Sequence, residues 1–325
     1  MKVLVTGGAG YVGSHAVREL IRSGIPYVVL DNLVRGHREF VPADRLVVGD
    51  VADEPLVRRL LAEHGITDVM HFAAYAYVGE SVVDPIRYYT NNVAATVLFL
   101  RCVVEAGVRS FVFSSTCSTY GDPETTPIRE DHPQRPVNPY GASKLMVERV
   151  LRDFDHAYGL RHVCLRYFNA AGADPEGGIG ERHEPETHLL PLVLQTALGQ
   201  RPHVQIFGTD YATPDGTCIR DYVHVSDLAS AHLLALRHLQ DGGASGSFNL
   251  GNGQGFSVRE VIDKARRTTG REIATLDAPR RPGDPDRLVG SSEKAMTVLG
   301  WKPRYASLES IIETAWSWHR SRSAA

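Results

Sequence analysis

The chain has 325 residues, 43% of them hydrophobic and 22% charged, with a formal net charge of −3. This is the make-up of an ordinary globular protein with a sizeable core; the charge gives no basis for a nucleic-acid partner, and no apolar run is long enough to span a bilayer. Cys102, Cys117, Cys164 and Cys218 are scattered without a Cys-x-x-Cys pair, so neither a disulfide framework nor a thiolate zinc site is indicated. Met1-Lys2-Val3-Leu4-Val5 leads straight into structure with no secretory n-region, and a cytoplasmic location with no membrane partner is expected.

Residues 2–6 form a short apolar run that predicts a strand buried on both faces. Gly7-Gly8-Ala9-Gly10-Tyr11-Val12-Gly13 follows, and residues 14–23 have helical periodicity. Strand, glycine turn and helix is the setting of a dinucleotide fingerprint, here spaced G-x-x-G-x-x-G rather than G-x-G-x-x-G. Gly7 and Gly10 admit the tight turn and the approach of a pyrophosphate to the helix start, and Gly13 lets helix and strand pack closely. A second strand over residues 27–32 ends in Asp31-Asn32, about 20 residues past the glycines. A carboxylate there accepts from ribose hydroxyls and repels a 2′-phosphate, which favours NAD over NADP; Arg35 and Arg38 weigh the other way.

The alternation continues with strands at residues 45–49, ending at Asp50-Val51, and 68–72, ending in Phe72-Ala73-Ala74. Two more lie at 110–114, ending at Ser115-Thr116, and 162–168, running through Phe168 into Asn169. Helical stretches lie at 54–63, 89–106 and 140–158. Strands alternating with helices predict an α/β fold with a parallel, doubly wound Rossmann-type sheet. Ligands of such sheets bind beyond the carboxyl ends of the strands, so Asp31, Asp50, Phe72, Thr116 and Asn169 should converge on one crevice. Pro139 suits the first turn of a helix, which puts Tyr140 and Lys144 one turn apart on one face. Free tyrosine loses its proton near pH ~10. A neighbouring ammonium favours the phenolate, so the pair is expected to serve as a base near neutrality.

After Asn169 the pattern loosens. Residues 172–185 read as a loop able to cover a ligand, 189–198 as a helix, 204–207 as a strand and 210–217 as a turn-rich loop. Residues 220–225 read as one strand leading to Ser226, the expected N-cap of a helix through 239. Residues 248–250 are expected to return to the edge of the main sheet, and helices close the chain at 257–268 and 308–319. The expected division is therefore 1–168, with 218–250 returning to it, and a smaller, partly interleaved unit over 169–325. His183-Glu184-Pro185-Glu186-Thr187-His188 has the composition of a metal cluster, but Pro185 spoils the helix that would align the two histidines, and no metal is expected.

Five spaced motifs, GGAGYVGSH at the start, SSTCSTYG at Ser114, NPYGASK at Asn138, LRYFNAAGADPEG at Leu165 and GTCIRDYVHVSDLA at Gly216, cover nearly the whole chain in order. Together they resemble the extended short-chain dehydrogenase/reductase family and, within it, the UDP-glucose 4-epimerases. The resemblance implies a reversible epimerisation of UDP-glucose and UDP-galactose at the sugar 4-position, through a 4-keto intermediate and a tightly held NAD that is regenerated. It implies Tyr140 as general base and acid, Lys144 on the nicotinamide ribose, and Thr116 relaying the proton. Tyr11, Val12, Asp31, Asn32, Asp50, Val51, Phe72, Ala73, Ala74 and Asn91 fall where the family holds NAD, and Phe168 and Asn169 would lie between nicotinamide and substrate. His188, Leu189, Gln205, Phe207, Arg220, Arg281 and Asp284 match the family's UDP contacts, which makes 169–325 the UDP-sugar unit. Two guanidiniums suit a diphosphate; a structural ion pair of Arg220 or Arg281 with Asp221 or Asp284 is the weaker reading.

Three departures from the family pattern matter. Tyr75-Ala76-Tyr77 lacks a lysine that some relatives turn toward the cofactor phosphate. Cys117-Ser118 replaces the acid pair of the related 4,6-dehydratases. Leu288, of intermediate size, stands where bulk gates N-acetylated sugars. The alternatives kept are a 4-epimerase of UDP-xylose/UDP-arabinose or UDP-N-acetylglucosamine, and an NAD-dependent UDP-sugar oxidoreductase. The family also implies a homodimer through the helices near 89–106 and 140–158, whose apolar residues Val97, Leu98, Phe99, Leu100, Val147, Val150, Leu151 and Phe154 exceed what one sheet face needs.

Overall fold

The computed structural model describes residues 1–281 and 284–323. Its centre is a parallel sheet of β1 (Val3–Thr6), β2 (Tyr27–Asp31), β3 (Leu46–Val48), β4 (Asp68–His71), β5 (Ser110–Thr116), β6 (Arg161–Tyr167) and a last strand, Gly246–Leu250, in the order last strand, β6, β5, β4, β1, β2, β3. Side chains alternate between faces along each strand, so β1 sends Val3 and Val5 into one core and Leu4 into the other. The first core takes α1 (Tyr11–Arg22) and the helix Val225–Gln240. The second takes α2 (Glu54–His64), the helix Ala95–Glu105 and the helix Pro139–Tyr158. Strand order reverses between β1 and β4, so the crevice of a doubly wound sheet opens beyond Thr6 and His71. The expected return of residues 248–250 to the sheet edge is found, on β6.

Three elements differ from the sequence expectation. The stretch 89–106 is not one helix: α3 (Val78–Val83) and α4 (Pro85–Tyr88) are followed by a π-helical turn over Tyr89–Ala94 and then α5 (Ala95–Glu105). Such π segments re-aim side chains, and here Asn92 turns inward to bond both backbone groups of Tyr75 and Ser143 Oγ. α6 (Pro139–Tyr158) is continuous; α7 (Leu189–Ala197) follows β7 (Asn169–Ala171) and precedes β8 (Val204–Phe207). The stretch 220–225 divides into β9 (Ile219–Arg220) and β10 (Tyr222–His224) because buried Asp221 between them accepts the backbone N–H groups of Asn252, Gly253 and Gly290. α8 (Val225–Gln240) is capped by the His224 ring rather than Ser226.

Beyond β11 (Gly246–Leu250) come β12 (Phe256–Ser257), α9 (Val258–Thr269), β13 (Thr275–Ala278), β14 (Arg287–Leu288), α10 (Glu293–Val298) and α11 (Leu308–Ser323). α7, α9 and α11 share a third core around Val193, Ile262 and Ile311. No helix among the described residues is long and apolar enough to cross a membrane. Phe99, Leu100, Val147 and Leu151, read from the sequence as surplus apolar surface, are buried in the second core. Leu98, also among those read, is exposed, as are Met146 on α6 and Val82, Val83 and Ile86 just before the π turn.

Candidate active site

The glycine turn and the end of β4 meet without side chains between them. Gly7 sits at φ +71, and a Cβ on it would lie 2.5 Å from the backbone nitrogen of Ala73. A Cβ on Gly13 would lie 2.2 Å from the carbonyl of Gly7. Gly10 is the N-cap of α1 and offers no side-chain acceptor, so the helix begins at Tyr11 and Val12 with first-turn amides that no capping side chain satisfies. A side-chain-free cradle at the positive end of a helix fits a dinucleotide pyrophosphate. The Tyr11 side chain is committed elsewhere, donating to the Gly172 carbonyl at 2.7 Å.

Asp31 ends β2 buried, its two oxygens accepting the backbone N–H groups of Ala9 (2.9 Å) and Leu33 (2.8 Å), which aims the carboxylate and leaves it further lone pairs. Asn32 donates to Asp50 at 2.8 Å, joining the ends of β2 and β3, and Val51 is buried beside them. Arg35 is engaged by Glu80 and the Glu184 carbonyl, so it is not the free cation a 2′-phosphate would need. Phe72, Ala73 and Ala74 are half-buried at the end of β4, with the Phe72 ring 4.6 Å from that of His232. Asn91 donates to Asn92 within the π turn.

Thr116 ends β5, and Tyr140 and Lys144 occupy the first turns of α6. Asn138 caps that helix by accepting the Gly141 N–H at 2.8 Å, and Pro139 fills its first position. A Cβ on Gly141 would lie 2.4 Å from the Ser118 carbonyl, so the start of α6 sits directly on the turn after Thr116. Burial pushes the Tyr140 phenol up to about 12, and its hydrogen bond with the Thr116 side chain works the other way. Lys144 is buried and lowered to about 7 by burial, opposed by the charge of Glu148; its Nζ donates to the Ser114 carbonyl at 2.8 Å and stands 6.0 Å from the Tyr140 ring centroid. Burial thus opposes both the acidity of the phenol and the charge of the ammonium, while the Ser114 carbonyl favours that charge.

On the other side of the crevice, Arg220 pairs with Asp284, and Arg281 reaches the same carboxylate at 3.0 Å. The ion-pair reading ranked lower from the sequence is thus present for Asp284, but not for Asp221, which is taken up by three backbone amides. Two guanidiniums share one carboxylate, which leaves a net positive charge suited to a diphosphate. The Arg281 guanidinium lies 5.1 Å from the Phe207 ring centroid, and a cleft of about 750 Å³ opens beside Arg281, Asp284 and the loop 122–126. Gln205 is exposed on β8, and Leu189, half-buried, begins α7. Asn169 donates to the Asp221 carbonyl at 2.9 Å. Phe168 is buried with Cys117, Tyr120 and Ile128, with Leu288 against them. His188 binds the Glu181 carboxylate.

The sequence argument about Pro185 does not hold in space. No helix is needed: the loop bends so that Glu181, His183, Glu186 and His188 bring their ligating atoms within 4.8 Å of one another. Sequence reading also passed over Glu148, which lies one turn beyond Lys144 and binds Arg166 in a buried pair; the four-residue spacing was the available signal. Asn92, which ties the 73–77 loop to α6, has no sequence signal.

A family model described as the NAD dependent epimerase/dehydratase family matches residues 3–251. The chain is 56% identical over 320 residues to the UDP-glucose 4-epimerase of Halalkalibacterium halodurans, covering 98% of this chain and 96% of that protein. A solved structure of a UDP-glucose 4-epimerase, 50% identical, superposes with a TM-score of 0.97 over 99% of this chain and 98% of the other. Another, from Stenotrophomonas maltophila with bound NAD and formylated UDP-arabinopyranose, is 41% identical with a TM-score of 0.97 and covers both chains fully, at 100%.

Proposed function

The chain belongs to the NAD dependent epimerase/dehydratase family and is an isomerase that epimerises the 4-position of a UDP-sugar with NAD; on that premise we propose how its residues share the work. The proposed substrate pair is UDP-glucose and UDP-galactose, interconverted through a 4-keto sugar. Bound NAD supplies the acceptor and donor of hydride. Gly7, Gly10, Gly13 and the first turn of α1 hold its pyrophosphate, Asp31 the adenosine ribose, and Asn32, Asp50 and Val51 the adenine end. Phe72, Ala73, Ala74, Asn91 and Phe168 line the rest.

Tyr140 takes the proton of the sugar 4-hydroxyl as that carbon is oxidised and returns it as the carbon is reduced from the opposite face. Thr116, whose side chain stands near enough to the phenol to favour loss of its proton, relays that proton. Lys144 orients the cofactor ribose and brings positive charge near the phenol. Arg220 and Arg281, steered by Asp284, clamp the diphosphate, with His188, Leu189, Gln205 and Phe207 around the nucleotide and Asn169 near the sugar. Many contacts to UDP and few to the sugar let the 4-keto sugar turn while the nucleotide stays fixed. The observation that carries this reading is the meeting of Thr116, Tyr140 and Lys144 at the strand ends beside the glycine cradle.

With UDP-galactose and no added dinucleotide, UDP-glucose should accumulate to equilibrium without growth of the reduced-nicotinamide absorbance. Stoichiometric NADH release would instead make the protein a net oxidoreductase. Running UDP-xylose and UDP-N-acetylgalactosamine alongside distinguishes the pentose and N-acetyl alternatives. The units 1–168, with 218–250, and 169–325 are the proposed cofactor and substrate domains, supported by β11 joining β6 and by the separate core of α7, α9 and α11.

The chain is further proposed to form a homodimer through the helices near 89–106 and 140–158, with Val83, 86% exposed, and Ile86, 78% exposed, just before the first of them. Sedimentation at micromolar concentration should then give twice the chain mass of 35.7 kDa, and a single-chain mass would contradict it.

A further inference from the structure

We propose that Glu181, His183, Glu186 and His188 form a binding site for one divalent transition-metal ion of the zinc class, a site separate from the Tyr140 chemistry. The four side chains come from one bent loop, and their ligating atoms all lie within 4.8 Å of one another. In a tetrahedral site with bonds of ~2.0–2.1 Å, neighbouring donors stand roughly 3.4 Å apart, so the widest separations close by up to about 1.4 Å while His188 Nδ1 and the Glu181 oxygen move apart.

The donors are only partly satisfied among themselves: His188 Nδ1 bonds the Glu181 carboxylate. His183 Nδ1 is buried, 3.3 Å from a Glu181 oxygen and 3.6 Å from a Glu186 oxygen, yet it makes no hydrogen bond to either. The same small cavity, about 190 Å³, is lined by Glu181, His183, Glu186 and His319, whose buried Nε2 also lacks a partner. Arg322 stands in the cavity lining too, so the attraction for a cation comes from the carboxylate side.

Surrounding contacts orient the ligands as metal sites require. The Glu186 oxygen that faces His183 accepts the backbone N–H groups of Thr187 (2.8 Å) and His188 (2.9 Å), which fixes the carboxylate at the cluster. The Glu181 carbonyl accepts Trp318 Nε1 at 3.0 Å, and the loop is anchored to the β2 side by Arg35 on Glu184 and His37 on the Arg182 carbonyl. Two imidazoles with two carboxylates select zinc, cobalt or manganese over magnesium and calcium, which prefer all-oxygen shells. Once an ion displaces their protons, the two imidazoles are neutral and the two carboxylates carry the −2 charge that balances it. An ion here would fasten the loop that leads into α7 against the start of α1, where the Tyr11 ring lies 6.1 Å from that of His183.

The test uses untagged, cofactor-containing protein stripped with a chelator and titrated with Co²⁺. Visible d–d absorption should saturate near one ion per chain, disappear on adding Zn²⁺ and persist in millimolar Mg²⁺. His183→Ala and Glu186→Gln should each weaken binding by more than about tenfold while NAD content stays at the parent level. Absence of the band, or an undiminished band in the double variant, would overturn the site. Should the variants fail to fold, zinc-edge anomalous scattering from a soaked wild-type crystal decides: a peak among the four side chains supports the proposal, and its absence there refutes it.

Discussion

Tyr140→Phe is expected to lower the conversion of UDP-galactose by about 10²–10⁴-fold, the range for loss of a positioned acid–base group. The loss should fall on kcat, since the phenol hydroxyl acts on the reacting proton and the UDP clamp lies elsewhere. The variant should still hold its dinucleotide: the glycine cradle and Asp31 come from β1, α1 and β2, not α6. Folding should be nearly unchanged, because only one hydroxyl is removed from a half-buried ring. Burial holds the proton on this phenol up to about 12, so the chain's own groups leave Tyr140 protonated at neutral pH. The proton leaves only with help from nearby positive charge and from Thr116, which is why a ring without the hydroxyl has no substitute. Product separation with UDP-galactose measures the rate, and an undiminished rate would remove Tyr140 from the mechanism.

Arg166→Met is expected to cost about 3–5 kcal/mol of stability, because it leaves the Glu148 charge buried and unpaired. The pair meets at 2.6 Å with side chains 6% and 3% exposed. Arg166 also donates to Tyr120 Oη (2.9 Å) and Ser247 Oγ (3.1 Å), while Ser115 Oγ donates to Glu148. The pair thus joins α6 to β5, β6 and β11 directly behind the turn that carries Lys144. The double variant Glu148→Leu, Arg166→Met should lose much less than the single one, since both charges go together. Urea unfolding of both variants measures this, and a single-variant loss below about 1 kcal/mol would show that Glu148 finds another partner or a proton.

What was legible in the sequence was local. The glycine turn, the carboxylate closing β2 and Asn138-Pro139 at the start of α6 each follow from the backbone needs of a few consecutive residues, and the structure builds each of them from those residues. What was not legible depends on chain folded in from far away. Arg220 meets Asp284 across 64 positions and Arg166 meets Glu148 across 18, and neither spacing belongs to a helix or strand. The break at Asp221 is set by amides of residues 252, 253 and 290. The π turn after Tyr88 reads as plain helix because Asn91-Asn92-Val93-Ala94-Ala95 carries no breaker. Spacing likewise shows that Lys144 is near Tyr140, but not that it donates to the Ser114 carbonyl or that both groups are buried.

In the proposed reaction hydride leaves the sugar 4-carbon and comes back to that same carbon without exchange with water. UDP-galactose deuterated at the 4-position, converted in ordinary water with no added dinucleotide, tests this directly by mass spectrometry or NMR of the UDP-glucose formed. The label should be fully retained at the 4-position of the product; its loss to solvent would contradict the mechanism.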